Sequence, residues 1–263
     1  MTVNDVDFIP YRNFMRIASV ALKSLMDGKN LEARDGYKKA LEFYQFDANS
    51  YCNLGYAEDE LGNKEKAFEA LYRAIELEPF HIDANHNLGV LYKKYGEYSK
   101  AIPFYNNAIV SGGHAPHTFS GRGICQENLD LLEGALEDYS QAIKVDSMNP
   151  DRYINRASIY TKMNRYDLAI DDYSIAISLE PNPERYHCRA YAYYIIGQIK
   201  EAEDDYRNAA SILYPEFEPS KLVSVANIDN LEEYVPLVNR MINAGLSPYF
   251  KVVDKNVFII PMI

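Results

Sequence analysis

Positive charge is what this chain has least of. Twenty-seven lysines and arginines face 38 aspartates and glutamates, which leaves a formal charge of -11 and a pI near 5.0. A surface of that sign works against non-specific attraction to phosphate backbones and anionic lipid, so neither nucleic acid nor membrane is an expected partner. A basic or neutral protein or peptide is. Long apolar runs are missing too, and the N-terminal MTVNDVDFIPYRN holds no export core, so no signal peptide or membrane span is expected. Cysteine is scarce: Cys52, Cys125 and Cys188 lie far apart and odd in number, in a chain without an N-x-S/T sequon. Reduced thiols and a cytoplasmic location are the simplest expectation. The phosphate-cradling glycine loops, C-x-x-C and H-E-x-x-H are all absent. No catalytic residue, cofactor or metal is therefore expected, and the chain reads as a non-enzyme.

What is present is a period. Ala33, Ala67, Ala101, Ala135, Ala169 and Ala202 follow one another at intervals of 34, 34, 34, 34 and 33 residues. Each is followed at +4 by Tyr37, Leu71, Tyr105, Tyr139, Tyr173 or Tyr206, and at +7 by a second alanine, from Ala40 to Ala209. Positions 0, +4 and +7 share one helix face. Upstream in each unit an apolar or aromatic residue precedes a pair ending in Gly or Ala: Val20-Ala21, Leu54-Gly55, Leu88-Gly89, Arg122-Gly123, Arg156-Ala157 and Arg189-Ala190. A small residue there lets a second helix come close. Gly28, Gly62, Gly96 and Gly197 mark a turn between the two elements. Each unit reads helix, turn, helix.

On these residues the chain resembles the tetratricopeptide repeat family, whose W-x2-L-G-x2-Y…A-x3-F…P pattern it follows piece by piece. The family's tryptophan is replaced throughout, since the chain has none. Tyr92, Tyr160 and Tyr193 close the first half of their repeats where Ser24, Glu58 and Gln126 stand in the others, and the final proline survives as Pro79 and Pro181. The resemblance implies an all-α, right-handed solenoid of six helix-turn-helix repeats, at 14–47, 48–81, 82–115, 116–149, 150–182 and 183–216, after a lead-in at 1–13 in which Phe8, Ile9 and Tyr11 pack over the first helix. Most tyrosines become core filling. A scaffold that binds a peptide or protein segment follows from the same resemblance.

In that family the first helices line a concave groove, and an asparagine two residues before the small Gly or Ala bonds a ligand backbone. Here those steps hold Ser19, Asn53, Asn87, Gly121, Asn155 and Cys188. An amide suits the role because it donates and accepts at once, although it can equally serve its own stack. Tyr56, Asp59, His86, Lys93, His117, Glu127, Ser158 and Tyr191 would also face inward. The Lys/Asn/Arg clamp that some relatives close on a C-terminal carboxylate is matched only at Asn53, because Ala18, Asp83 and Asn87 stand where cations are needed. His86 and His117 should adjoin, with Cys52 and Asp83 one repeat earlier. The spacing of helices, about 10 Å, argues against a shared metal.

The last three repeats carry Glu137-Asp138, Asp171-Asp172 and Asp204-Asp205 at one step of their second helices. Asp171, Asp172, Asp204 and Asp205 are expected as an acidic stripe, either a solvated outer face or a dock for a basic partner. After Pro215 the period fails. Asp229 to Ile242 reads as a capping helix and Tyr249 to Ile260 as a β-hairpin, so 217–263 is expected to cover the last repeat or to pair between two copies as a homodimer.

Overall fold

The computed structural model describes residues 9–213, 250–253 and 256–259. Within them twelve helices follow in chain order: α1 (Ile9–Met26), α2 (Asn30–Phe43), α3 (Ala48–Glu60), α4 (Lys64–Leu77), α5 (Ile82–Lys94), α6 (Tyr98–Val110), α7 (Pro116–Asn128), α8 (Leu132–Val145), α9 (Pro150–Lys162), α10 (Tyr166–Leu179), α11 (Pro183–Ile195) and α12 (Ile199–Leu213). Strands β1 (Phe250–Val253) and β2 (Asn256–Ile259) pair antiparallel, Phe250 opposite Ile259. The expected capping helix at 229–242 lies outside the described residues. So does Phe8.

The chain divides into two units, residues 1–146 and 147–263. In the first, α1 packs on α2, α3 on α4, α5 on α6 and α7 on α8, and each pair stacks on the next through α2–α3, α4–α5 and α6–α7. In the second, α9 packs on α10 and α11 on α12, with α10 against α11. Each unit is a helical solenoid built pair by pair, with its core between neighbouring pairs.

The periodic residues make that core. Ala33, Ala67, Ala101, Ala135 and Ala169 are fully buried, and so are Tyr37, Leu71, Tyr105 and Tyr139 beside them. Burying side chains of that size is worth about 1.5–3 kcal/mol each. The small residue upstream is dictated by the same side chains. A Cβ at Gly55 would meet Leu71 Cγ at 2.6 Å, and one at Gly89 or Gly123 would meet the Tyr105 or Tyr139 ring at 2.9 Å.

Two features depart from the sequence-based expectation. Helix α1 starts at Ile9, so residues 9–13 belong to it, and Ile9 and Tyr11 are about half exposed on the helix they were expected to cover. Tyr11 meets Tyr44 edge-on at 5.6 Å. The turns are also more uniform than their glycines imply. Gly28, Gly62, Gly96 and Gly197 take φ of 72°, 76°, 73° and 81°, and the same step in the α7–α8 and α9–α10 turns is held by Asp130 and Asn164 at φ 58°. Their short polar side chains make them the residues other than glycine that best tolerate this conformation.

Candidate functional site

In the first unit α1 touches α3, α3 touches α5 and α5 touches α7, so the first helices form a continuous wall. Asn53 and Tyr56 lie on α3, His86, Asn87 and Lys93 on α5, and His117 on α7. Tyr56 and His117 are exposed and the other four are half-buried. The wall is cross-linked. Asn53 Nδ2 donates to the Tyr37 hydroxyl at 3.0 Å, Asn87 Nδ2 contacts Cys52 Sγ at 3.5 Å, and Lys94 bonds Asp59 at 2.6 Å. Amide donors of the two asparagines are thus turned toward their own stack. Glu127, counted among the inward-facing residues, accepts from the Tyr139 hydroxyl at 2.9 Å.

His86 and His117 do adjoin: their rings meet edge-on with centroids 4.6 Å apart, and His86 Nδ1 lies 3.1 Å from Thr118 Oγ1. Burial, followed by the neighbouring His117, lowers the pKa of His86 to about 4, so it is neutral at physiological pH. Burial likewise pushes the Cys52 thiol up to about 12, with Asp83 adding to the effect, and a thiol so held is a poor nucleophile. His114 stacks on Phe119 instead of joining the pair. Among the described residues no three His, Cys, Asp or Glu side chains converge as a metal site.

Asn155 on α9 and Tyr191 on α11 occupy equivalent steps in the second unit, both half-buried. The acidic stripe expected on that unit is corrected by the structure. Asp172 and Asp205 are 3% exposed, and only Asp171 and Asp204 face solvent. Successive helix residues point about 100° apart, so two adjacent acids cannot share a face. Asp172 accepts from Arg156 Nε and Nη2, both at 2.7 Å, and Asp205 accepts from Arg189 in the same way, both at 2.7 Å. The Arg156 guanidinium lies over the rings of Tyr153 and Tyr160, 6.0 and 5.9 Å from their centroids, and Arg189 over Tyr186 and Tyr193 at 5.7 and 5.8 Å. In the first unit Arg122 grips Asp138 by the same two-pronged bond. In all three the arginine precedes its aspartate by 16 residues. That spacing was the available signal for these pairs. Glu58 is a related case: it takes the place of a core tyrosine, is 1% exposed, and accepts from Lys38 at 2.6 Å and Asn63 at 2.7 Å. Burial works to raise its pKa, but the Lys38 and Asn63 hydrogen bonds outweigh that and hold it below the usual range.

A cleft of about 520 Å³ opens between α2, α3 and α4, lined by Lys38, Lys66, Arg73, Glu58, Glu69 and Tyr51 among others, with both signs of charge. No helix among the described residues is long and apolar enough to cross a membrane.

Sequence profiles described as tetratricopeptide repeat match residues 48–81 and 82–109, and residues 150–183. Solved structures with this fold include PilF of Pseudomonas aeruginosa (16% identity, TM-score 0.66, covering 81% of this chain and 96% of that one). A tetratricopeptide repeat protein from Parabacteroides merdae has 18% identity and TM-score 0.63, covering 89% and 88%. YrrB, described as a TPR protein with an unusual peptide-binding site, has 17% identity and TM-score 0.63, covering 70% and 95%. At these identities the likeness is one of fold. Among curated proteins none matches the sequence.

Proposed function

The chain belongs to the tetratricopeptide repeat family, and from that premise we propose that it is a non-enzymatic scaffold holding a segment of a partner protein against the first-helix wall of α3, α5 and α7. One observation carries the reading. Half-buried polar side chains, Asn53, His86, Asn87 and Lys93, recur along a wall of touching first helices, with Tyr56 and His117 exposed beside them. Because the Asn53 and Asn87 donors face inward, their amide oxygens are the groups left to accept N–H from an extended ligand backbone. The likeness to YrrB, itself a peptide binder, supports the same use of the fold.

Asparagine replacement tests this, with one precaution. Asn53→Ala alone would strand the buried Tyr37 hydroxyl, at about 1–3 kcal/mol, so it is paired with Tyr37→Phe. A partner captured from native lysate should bind the combined Asn53→Ala/Tyr37→Phe and Asn87→Ala variant at least about tenfold more weakly, about 1.4 kcal/mol, with helicity retained. Undiminished affinity moves the interaction off this wall.

A further inference from the structure

Helix α1 turns outward a face that the later first helices bury. On α3, Leu54 and Ala57 lie in one apolar cluster with Ala33 and Tyr37 of α2, and on α5, Ala84, Leu88 and Leu91 lie in one with Ala67, Leu71 and Ala74 of α4. In each case the preceding second helix covers the face. One or two periods earlier the same steps fall on Arg16, Val20 and Lys23 of α1, and all three are exposed, Val20 by 62%. The fold therefore offers a helix-sized seat there, and its lining is cationic. Two stripes run side by side along α1. At about 100° per residue, Arg12, Arg16 and Lys23 share an arc of about 40°, and Tyr11, Met15, Leu22 and Met26 share the neighbouring arc of about 60°. All seven are exposed, Met15 by 50% and Met26 by 81%. The helix contains no aspartate or glutamate. None of its three cations has a carboxylate within 4.0 Å among the described residues, whereas Lys38, Arg122 and Arg156 are each paired at 2.6–2.7 Å. An apolar stripe of this length, exposed and rimmed by charge of one sign, marks an interaction surface.

We propose that the outer face of α1 docks an acidic amphipathic helix of a partner protein: its apolar side packs on Tyr11, Met15, Leu22 and Met26, and its carboxylates pair with Arg12, Arg16 and Lys23. A helix fits because second helices occupy the equivalent place on α3 and α5, and because residues repeating at three- and four-residue steps form the ridges that another helix interlocks with. Acid fits because it supplies the counter-charge that α1 lacks. An anionic membrane suits the same stripes less well, since it also meets the field of a chain with net charge -11. The inference does not rest on the groove reading, whose wall is built from α3, α5 and α7.

The test uses the full chain and labelled synthetic peptides as long as α1, 18 residues, with leucines on one helix face and Glu, Gln or Lys on its flanks, titrated by fluorescence anisotropy. The Glu peptide should bind about tenfold more tightly than the Gln peptide, three rim ion pairs together being worth that much, and the Lys peptide least. Added salt should narrow the gap. Arg12→Glu/Arg16→Glu/Lys23→Glu changes exposed side chains alone, so melting should hold while the order inverts to Lys over Glu. Met15→Ser/Leu22→Ser/Met26→Ser should weaken all three peptides. The asparagine variant should bind the Glu peptide as the parent does; a loss there would put the peptide on α3 and α5 and overturn this inference while leaving the groove reading intact. Equal binding of Glu and Gln peptides, a preference that survives the charge reversal, or capture of phosphatidylserine vesicles in place of the peptide overturns it too.

Discussion

Asp171 and Asp172 are neighbours in sequence, alike in chemistry and opposite in fate, which makes them a sharp pair of probes. Asp172 is buried and accepts both prongs of Arg156, whose side chain is 20% exposed; Asp171 faces solvent. Removing one partner of a buried pair strands the other and costs about 3–5 kcal/mol. Water reaching the partly exposed guanidinium trims this, so Asp172→Ala should lose about 2–4 kcal/mol. An exposed site away from such features stays within about 0.5 kcal/mol, so Asp171→Ala should be nearly silent. Against a typical total of about 5–15 kcal/mol the difference is easily read from urea unfolding followed by far-UV circular dichroism. The double replacement Arg156→Met/Asp172→Leu removes both charges together and should recover most of the loss. Equal effects of Asp171→Ala and Asp172→Ala, or a double variant as weak as the single, would refute the clamp as an energetic unit.

Two further expectations concern stability. His86 is held neutral with a pKa of about 4 against an ordinary 6.5, so the unfolded chain takes up its proton first: the His86 contribution is complete above pH 6.5 and is lost as pH falls toward 4. The gap of 2.5 units corresponds to about 3 kcal/mol, and His86→Gln should flatten that acid limb in unfolding curves taken between these pH values. At the turn before α10, Asn164→Ala should cost about 1–2 kcal/mol because alanine has no ease at φ 58°, whereas Asn164→Gly should match or exceed the parent in thermal melts.

Much of the helical framework was legible because a helix core needs repetition, and the 34-residue period placed Ala33, Ala67, Tyr37 and Leu71 on buried faces. Charge was harder. Composition treats Asp138, Asp172 and Asp205 as surface residues, and only pairing each with the arginine 16 residues upstream would have moved them inside. Glu58 misleads for the same reason, since a carboxylate at a tyrosine step looks like a weakened repeat until Lys38 and Asn63 are found around it. Asp130 and Asn164 carry no glycine signal as turn residues, because the left-handed conformation at φ 58° is open to short polar side chains as well. At the candidate site, spacing put His86 beside His117, as the rings confirm. Nothing in spacing alone reveals that the Asn53 and Asn87 donors are taken by Tyr37 and Cys52, because those bonds depend on side-chain rotamers.

The arginine–aspartate clamps bear on how such a chain changes length over evolutionary time. Each joins the two helices of one hairpin, α7 to α8, α9 to α10 or α11 to α12, so both halves travel together in a single stretch of coding sequence. A side bond from the same guanidinium to the preceding hairpin, Arg122 to Asn106 or Arg189 to Ser174, asks there only for a polar oxygen. An in-frame gain or loss of one unit would therefore deliver or remove a complete clamp and strand neither member of it, whereas an ion pair such as Arg185–Asp151, whose partners sit on different hairpins, would be broken.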